Sequence, residues 1–124
     1  MIKVVTLLTQ KPGMSREVFI DQCETHHRKI GEKYLGGFAT EYQRRNLQSA
    51  GFREHEGDAP PFDVLMEFWH PDKDALDGAL AVLSTGEALA EIAADEERLF
   101  DRDPIRCYTI ERYEFEMPAV AAGT

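Results

Sequence analysis

A chain of 124 residues, 43% hydrophobic and 30% charged, is one globular domain with enough apolar mass to bury a core without staples. Its formal net charge of −9, with no arginine- or lysine-rich stripe, argues against nucleic acid or an anionic membrane as partner. Its two cysteines, Cys23 and Cys107, form no disulfide framework and lack the close spacing of metal ligands; both are expected to be reduced and buried.

The opening Met1-Ile2-Lys3-Val4 runs straight into a strand-like segment, without the basic region and apolar run of a leader. No apolar run approaches the roughly 18 residues of a membrane helix, so a cytoplasmic protein is expected. Val4 to Leu8 is β-branched and apolar and reads as the first strand, closed by the turn signal Lys11-Pro12-Gly13. Ser15 stands where a helix N-cap belongs, with Glu17 in the first turn. Phe19, Cys23, His26, His27 and Ile30 then form the inner stripe of an amphipathic helix, which Gly36-Gly37 stops.

Phe38 to Leu47 reads as a second strand, with Phe38, Thr40 and Tyr42 on one face. Residues 49–61 hold glycine, proline and acids without periodicity and read as a long loop. Asp63 to His70 is a third strand, and Asp72 or Asp74 caps the helix whose stripe is Leu76, Ala79, Leu80 and Leu83. Ser84-Thr85-Gly86-Glu87 fits a capping box, which starts a further helical segment with Leu89, Ile92, Ala93, Glu96 and Phe100 inward. Asp103-Pro104 is expected to break it, before a fourth strand from Ile105 to Phe115. Residues 1–117 form the domain and 118–124 a tail.

This order is β-α-β-β-α-β, the ferredoxin-like α+β unit with a four-stranded antiparallel sheet and helices on one face. Strands one and three are nonetheless apolar on both faces, the pattern of burial from two sides. A second copy packed on the open face, a homodimer forming a dimeric α+β barrel, meets that requirement. A monomer whose 49–61 loop covers the sheet is the alternative.

His27 is the sharpest candidate for chemistry. Its side chain follows Phe19 and Cys23 toward the sheet, and an imidazole moves protons at physiological pH. A core-edge histidine bonded to a carbonyl fits the same position. His26 lies about 100° round the helix, so the two do not form a metal pair. Tyr42 and Asn46, four apart on one strand, share a face; each offers a donor to a substrate carbonyl, and each also fits a structural role. Trp69 walls a pocket or fills the core, and His70 at the strand end is expected at the surface. Asp95, in the acidic run Asp95-Glu96-Glu97, is either solvated or directed at His27 from the neighbouring helix, where it would set the imidazole tautomer. A phosphate-cradling loop, a Ser-His-Asp signature, a dinucleotide fingerprint and a metal constellation are all missing, so any chemistry is expected to be proton-based, with no cofactor and no metal.

Val4-Val5-Thr6-Leu7-Leu8 followed by Lys11-Pro12-Gly13-Met14-Ser15-Arg16-Glu17-x-Phe19 resembles the first strand and helix start of the EthD family. His27 falls eight residues after that phenylalanine, where the family carries a histidine. Ala94-Asp95-Glu96 with Phe100-Asp101, and then Glu111, resemble the acidic segment and last strand of the same family. The resemblance implies a dimeric α+β barrel, among whose members are cofactor-free lactone isomerases and polyketide dehydratases or cyclases. It carries over His27 as the catalytic position and, after it, Tyr42.

The expected function is a cofactor-free lyase, isomerase or cyclase of catabolism or secondary metabolism. Its ligand is a small apolar carbonyl or aromatic molecule in a crevice lined by Phe38, Tyr42, Trp69 and Leu89 or Ile92. His27 transfers the proton, Tyr42 or Asn46 steadies the enolate oxygen, and Phe38, Trp69, His26 and Asp95 complete the substrate site. The alternatives are a non-catalytic ligand-binding or accessory module of a degradation pathway, or a haem-binding or monooxygenase-type barrel.

Overall fold

The computed structural model of the protein describes residues 1–48, 61–110 and 116–119. Of the expected 49–61 loop all but residue 61 falls outside these, as do Glu111, the last residues assigned to the fourth strand and tail residues 120–124.

Strand β1 spans Ile2–Gln10. Gly13, at φ +86°, supplies the left-handed turn that leads to helix α1, Arg16–Gln22. Ser15 caps that helix through its side-chain oxygen, which accepts from the Val18 N–H at 3.2 Å. The helix then widens into a π turn over Cys23–His27, where the Arg28 N–H bonds to the Cys23 carbonyl five residues back, before α2 resumes over Arg28–Leu35. An uninterrupted helix was expected here. The extra residue resets the helical phase, leaving His26 exposed and His27 half-buried.

Strand β2 is Glu41–Asn46, three residues later than expected. The Leu35 carbonyl holds the N–H groups of both Phe38 and Ala39 at 2.9 Å, which keeps Phe38 in the turn after α2. Strand β3, Val64–His70, leads to α3, Lys73–Leu83, capped by Asp72 accepting from the Ala75 N–H at 2.8 Å. Helix α4 covers Gly86–Leu99. The expected capping box is not formed: the Ser84 and Thr85 hydroxyls donate backwards to the Leu80 and Ala81 carbonyls. Helix α4 also ends four residues before Asp103-Pro104. Strand β4 begins at once, Phe100–Thr109, and that pair lies where its register with β1 shifts between Leu7 and Thr9. A proline with no N–H to donate is tolerated at such an irregular edge.

The sheet is antiparallel throughout, in the order β2-β3-β1-β4. With its helices this is the α+β, ferredoxin-like architecture. Register assigns the two faces: Val4, Thr6 and Leu8 share one with Met66, Phe68, His70, Tyr42 and Cys107, facing the helices. Lys3, Val5 and Leu7 share the other with Leu65, Glu67, Trp69 and Tyr108. Two core clusters hold the helical layer to the first face. One contains Leu8, Phe19, Cys23, Val64, Leu99 and Phe100; the other contains Leu35, Phe68 and Ala79. Among the described residues no helix is long and apolar enough to cross a membrane.

Candidate active site

Between sheet and helices lies a cavity of about 170 Å³ with overwhelmingly apolar walls. The sheet supplies Val4, Thr6, Leu8, Met66 and Phe68; α3 and α4 supply Leu76, Ala79 and Ile92. This void adjoins both clusters, sharing Leu8 with the first and Leu35, Phe68 and Ala79 with the second. The polar groups that reach it are His27, Tyr42, His70, Glu96, Thr6 and Cys107.

His27 enters on the π turn. Its Nδ1 stands 2.9 Å from Asp95 Oδ2, and its ring packs edge-on against Phe100 at 5.0 Å. A carboxylate only accepts, so Nδ1 carries a proton, and in the neutral ring Nε2 holds the lone pair. Asp95 is buried and is held from its other side by Arg98, at 2.5 Å. Burial alone would raise the Asp95 pKa, but the bonds from His27 and Arg98 outweigh it and hold the carboxyl below its ordinary range. Glu96, one residue on, lines the same cavity; desolvation raises its pKa against the pull of Arg102 and His27.

Tyr42 lies stacked on Phe68, with centroids 4.2 Å apart and an interplanar angle of 15°. Its hydroxyl donates to Met66 Sδ at 3.3 Å, and burial pushes its pKa well upward, so it stays protonated as a donor. Gly31 makes this stacking possible, because a Cβ there would stand 3.1 Å from the Tyr42 ring.

The remaining expected positions divide by strand parity and helical phase. Asn46 is exposed at the end of β2 and does not line the cavity. Phe38 packs behind it, across Gly78 of α3 and beside Leu35. Trp69 is on the opposite face of the sheet, under Lys3, whose Nζ is 4.7 Å from the ring centre. His26 points to solvent, and Leu89 is exposed while Ile92 lines the cavity. Two expectations are corrected. His70 is buried, not at the surface, because α3 folds over the end of β3. Cys107 is exposed, not buried, because β4 is an edge strand. Sequence reasoning missed His70 as a site residue, although it shares strand parity with Met66 and Phe68. Among the described residues no three metal-ligating side chains are gathered.

No curated protein matches the chain. Among solved structures it is similar to At3g17210 from Arabidopsis thaliana (16% identity, covering 94% of this chain and all of that one, TM-score 0.63). It is also similar to an EthD family protein from Bacillus halodurans C-125 (15% identity, 91% and 100% coverage, TM-score 0.61). A third similar structure is a dimeric ferredoxin-like protein from Thermobifida fusca YX (11% identity, 88% of each chain, TM-score 0.56). At such identities these likenesses establish the fold. The sequence profile of the EthD domain matches residues 11–103, from the turn before α1 into β4, a span that includes His27, Tyr42, His70 and Asp95. The chain therefore belongs to the EthD family.

Proposed function

We propose that the protein is a cofactor-independent enzyme that moves a proton on a small, largely apolar carbonyl or aromatic compound, as a lyase, isomerase or cyclase. The observation that carries this reading is the His27–Asp95 pair at the wall of an apolar cavity. Nε2 of His27 takes a proton from a carbon made acidic by a neighbouring carbonyl. The C–H electrons move into an enolate, whose oxygen accepts from the Tyr42 hydroxyl. Among the described residues that hydroxyl bonds only to a thioether, a weak acceptor, so a developing oxyanion displaces it readily. Asp95 holds the imidazole tautomer and stabilises the imidazolium formed. Return of the proton to another atom completes an isomerisation; attack of the enolate carbon on a second carbonyl of the same molecule, whose oxygen then takes the proton from His27, completes a cyclisation; departure of a β-substituent with its electron pair and that proton completes a lyase reaction.

The cavity limits size. An apolar cavity of about 150 Å³ takes a benzene-sized guest, so about 170 Å³ suits one ring with a short substituent. The apolar walls favour a neutral compound, because an unpaired charge there would lose its hydration. Two copies are proposed to pair through the helix-free face, where Leu7, Leu65, Trp69 and the half-exposed Tyr108 lie together.

The test is deuterium exchange in D₂O at carbons beside the carbonyl of small cyclic ketones, followed by proton NMR. Exchange well above the buffer rate is expected. Ketones that bind without exchange would instead mark a ligand-binding module.

A further inference from the structure

The proton-transfer reading leaves His70 without a role. This residue, only 3% exposed, is among the most buried polar groups of the chain and lines the cavity. Its Nδ1 is 2.9 Å from the backbone carbonyl of Phe38. A carbonyl can only accept, so Nδ1 carries a proton, and the neutral form of the ring has its lone pair at Nε2. Nε2 has no protein partner among the described residues. This unpartnered acceptor thus belongs to a buried residue of the cavity wall.

The register places this acceptor relative to His27. His70 pairs with Ile2 at one end of β1; Phe100, against which His27 packs, pairs with Gln10 at the other. The two imidazoles thus approach from opposite ends of the cavity, each fixed by an Nδ1 bond and each offering a lone pair. Walls of leucine, isoleucine, valine, methionine and phenylalanine separate them.

We propose that His70 is a specificity-determining residue, and that the ligand carries a neutral hydroxyl donor, phenolic or enolic, which bonds to Nε2 of His70 while the ring faces His27. This rests on reading the cavity as the substrate site and adds to it the substrate class: a hydroxylated ring or its enol tautomer. A ligand without that donor leaves a desolvated acceptor unpaired, the situation in which hydrogen-bonding sites discriminate most strongly. A cationic amine would also donate, but its charge would be stripped of water by the apolar walls.

The test is calorimetric titration of the intact protein with 4-methylphenol and with 4-fluorotoluene, which has nearly the same shape and no donor. At least about tenfold tighter binding of the phenol is expected. His70→Phe should abolish the preference, and His27→Gln should keep it. Because His70→Phe could disturb the fold, nitrogen-15 NMR of the histidine rings in the wild-type protein provides a second readout. The Nε2 resonance of His70 should move with the phenol and stay with the fluoro compound. Equal binding of the two probes, a preference that survives in folded His70→Phe, or an unmoved His70 resonance with phenol bound would overturn the proposal. Loss of ketone exchange with the phenol preference intact would overturn the catalytic reading alone; ketone exchange without the preference would overturn this one alone.

Discussion

His27 Nδ1 and Asp95 Oδ2 lie 2.9 Å apart across 68 positions of sequence, one on the π turn between α1 and α2, the other on the inner side of α4. This contact ties the two helical segments together and fixes which histidine nitrogen is free. Its loss should therefore register in stability as well as in chemistry.

Asp95→Asn should lower stability at neutral pH by about 1–3 kcal/mol, since it removes a buried acceptor bonded on both sides. The pH dependence has a definite sign. The folded carboxyl titrates below its ordinary value of 3.8, so its contribution is fully present above that pH and is lost as pH falls through the folded pKa. Thermal melts should show the wild type losing stability on acidification in that window, with the Asn variant declining less. Glu96 runs the other way: its raised pKa is a penalty on the folded state above about its ordinary 4.5, so Glu96→Gln should raise the melting temperature at pH 7.

The two cysteines should separate cleanly in reactivity. Burial, followed by the nearby Asp95 and Glu24 carboxylates, pushes the Cys23 thiol up to about 12, while Cys107 is exposed. The thiolate is the reactive form. Native protein at pH 8 should therefore react with one equivalent of an aromatic disulfide reagent, and with the second only in denaturant. Because Cys107 lines the cavity, its modification should also hinder ligand entry. Fast reaction of both thiols in the folded protein would contradict this.

Gly78→Ala in α3 sets two effects against each other. Alanine improves helix propensity by about 1 kcal/mol. Its Cβ, however, would stand 2.6 Å from the Phe38 ring, and overpacking of that kind costs about 1–3 kcal/mol. Net destabilisation is expected in urea melts, with recovery in a Gly78→Ala, Phe38→Leu double variant.

Tyr108→Glu places a charge on the helix-free face, away from the cavity. Light scattering should give the wild type close to twice the 14.1 kDa chain mass, and the variant a larger monomer fraction with unchanged ligand binding.

The architecture was legible because strand parity and helical stripes are local: Val4-to-Leu8, the Ser15 cap and the Asp72 cap are each written in a few adjacent residues. The site was legible only in part. His27 followed from its place on the inner stripe of its helix, whereas Asp95 stood open between a solvated acid and a partner of His27, and the π turn between α1 and α2 carries no mark in the local pattern. His70 was readable by parity with Phe68, yet its place at a strand end suggested solvent, and only the cover from α3 decides the matter. Trp69 has the opposite parity, so no pocket on the helical face could include it.

The most direct measurement is the rate of deuterium exchange into a small cyclic ketone for wild type, His27→Gln and Tyr42→Phe, each checked by circular dichroism for an intact fold. With His27 as base and Tyr42 as the oxyanion donor, exchange should fall to near background in the first variant and by on the order of 100-fold in the second. Exchange at the wild-type rate in folded His27→Gln would contradict the assignment of His27.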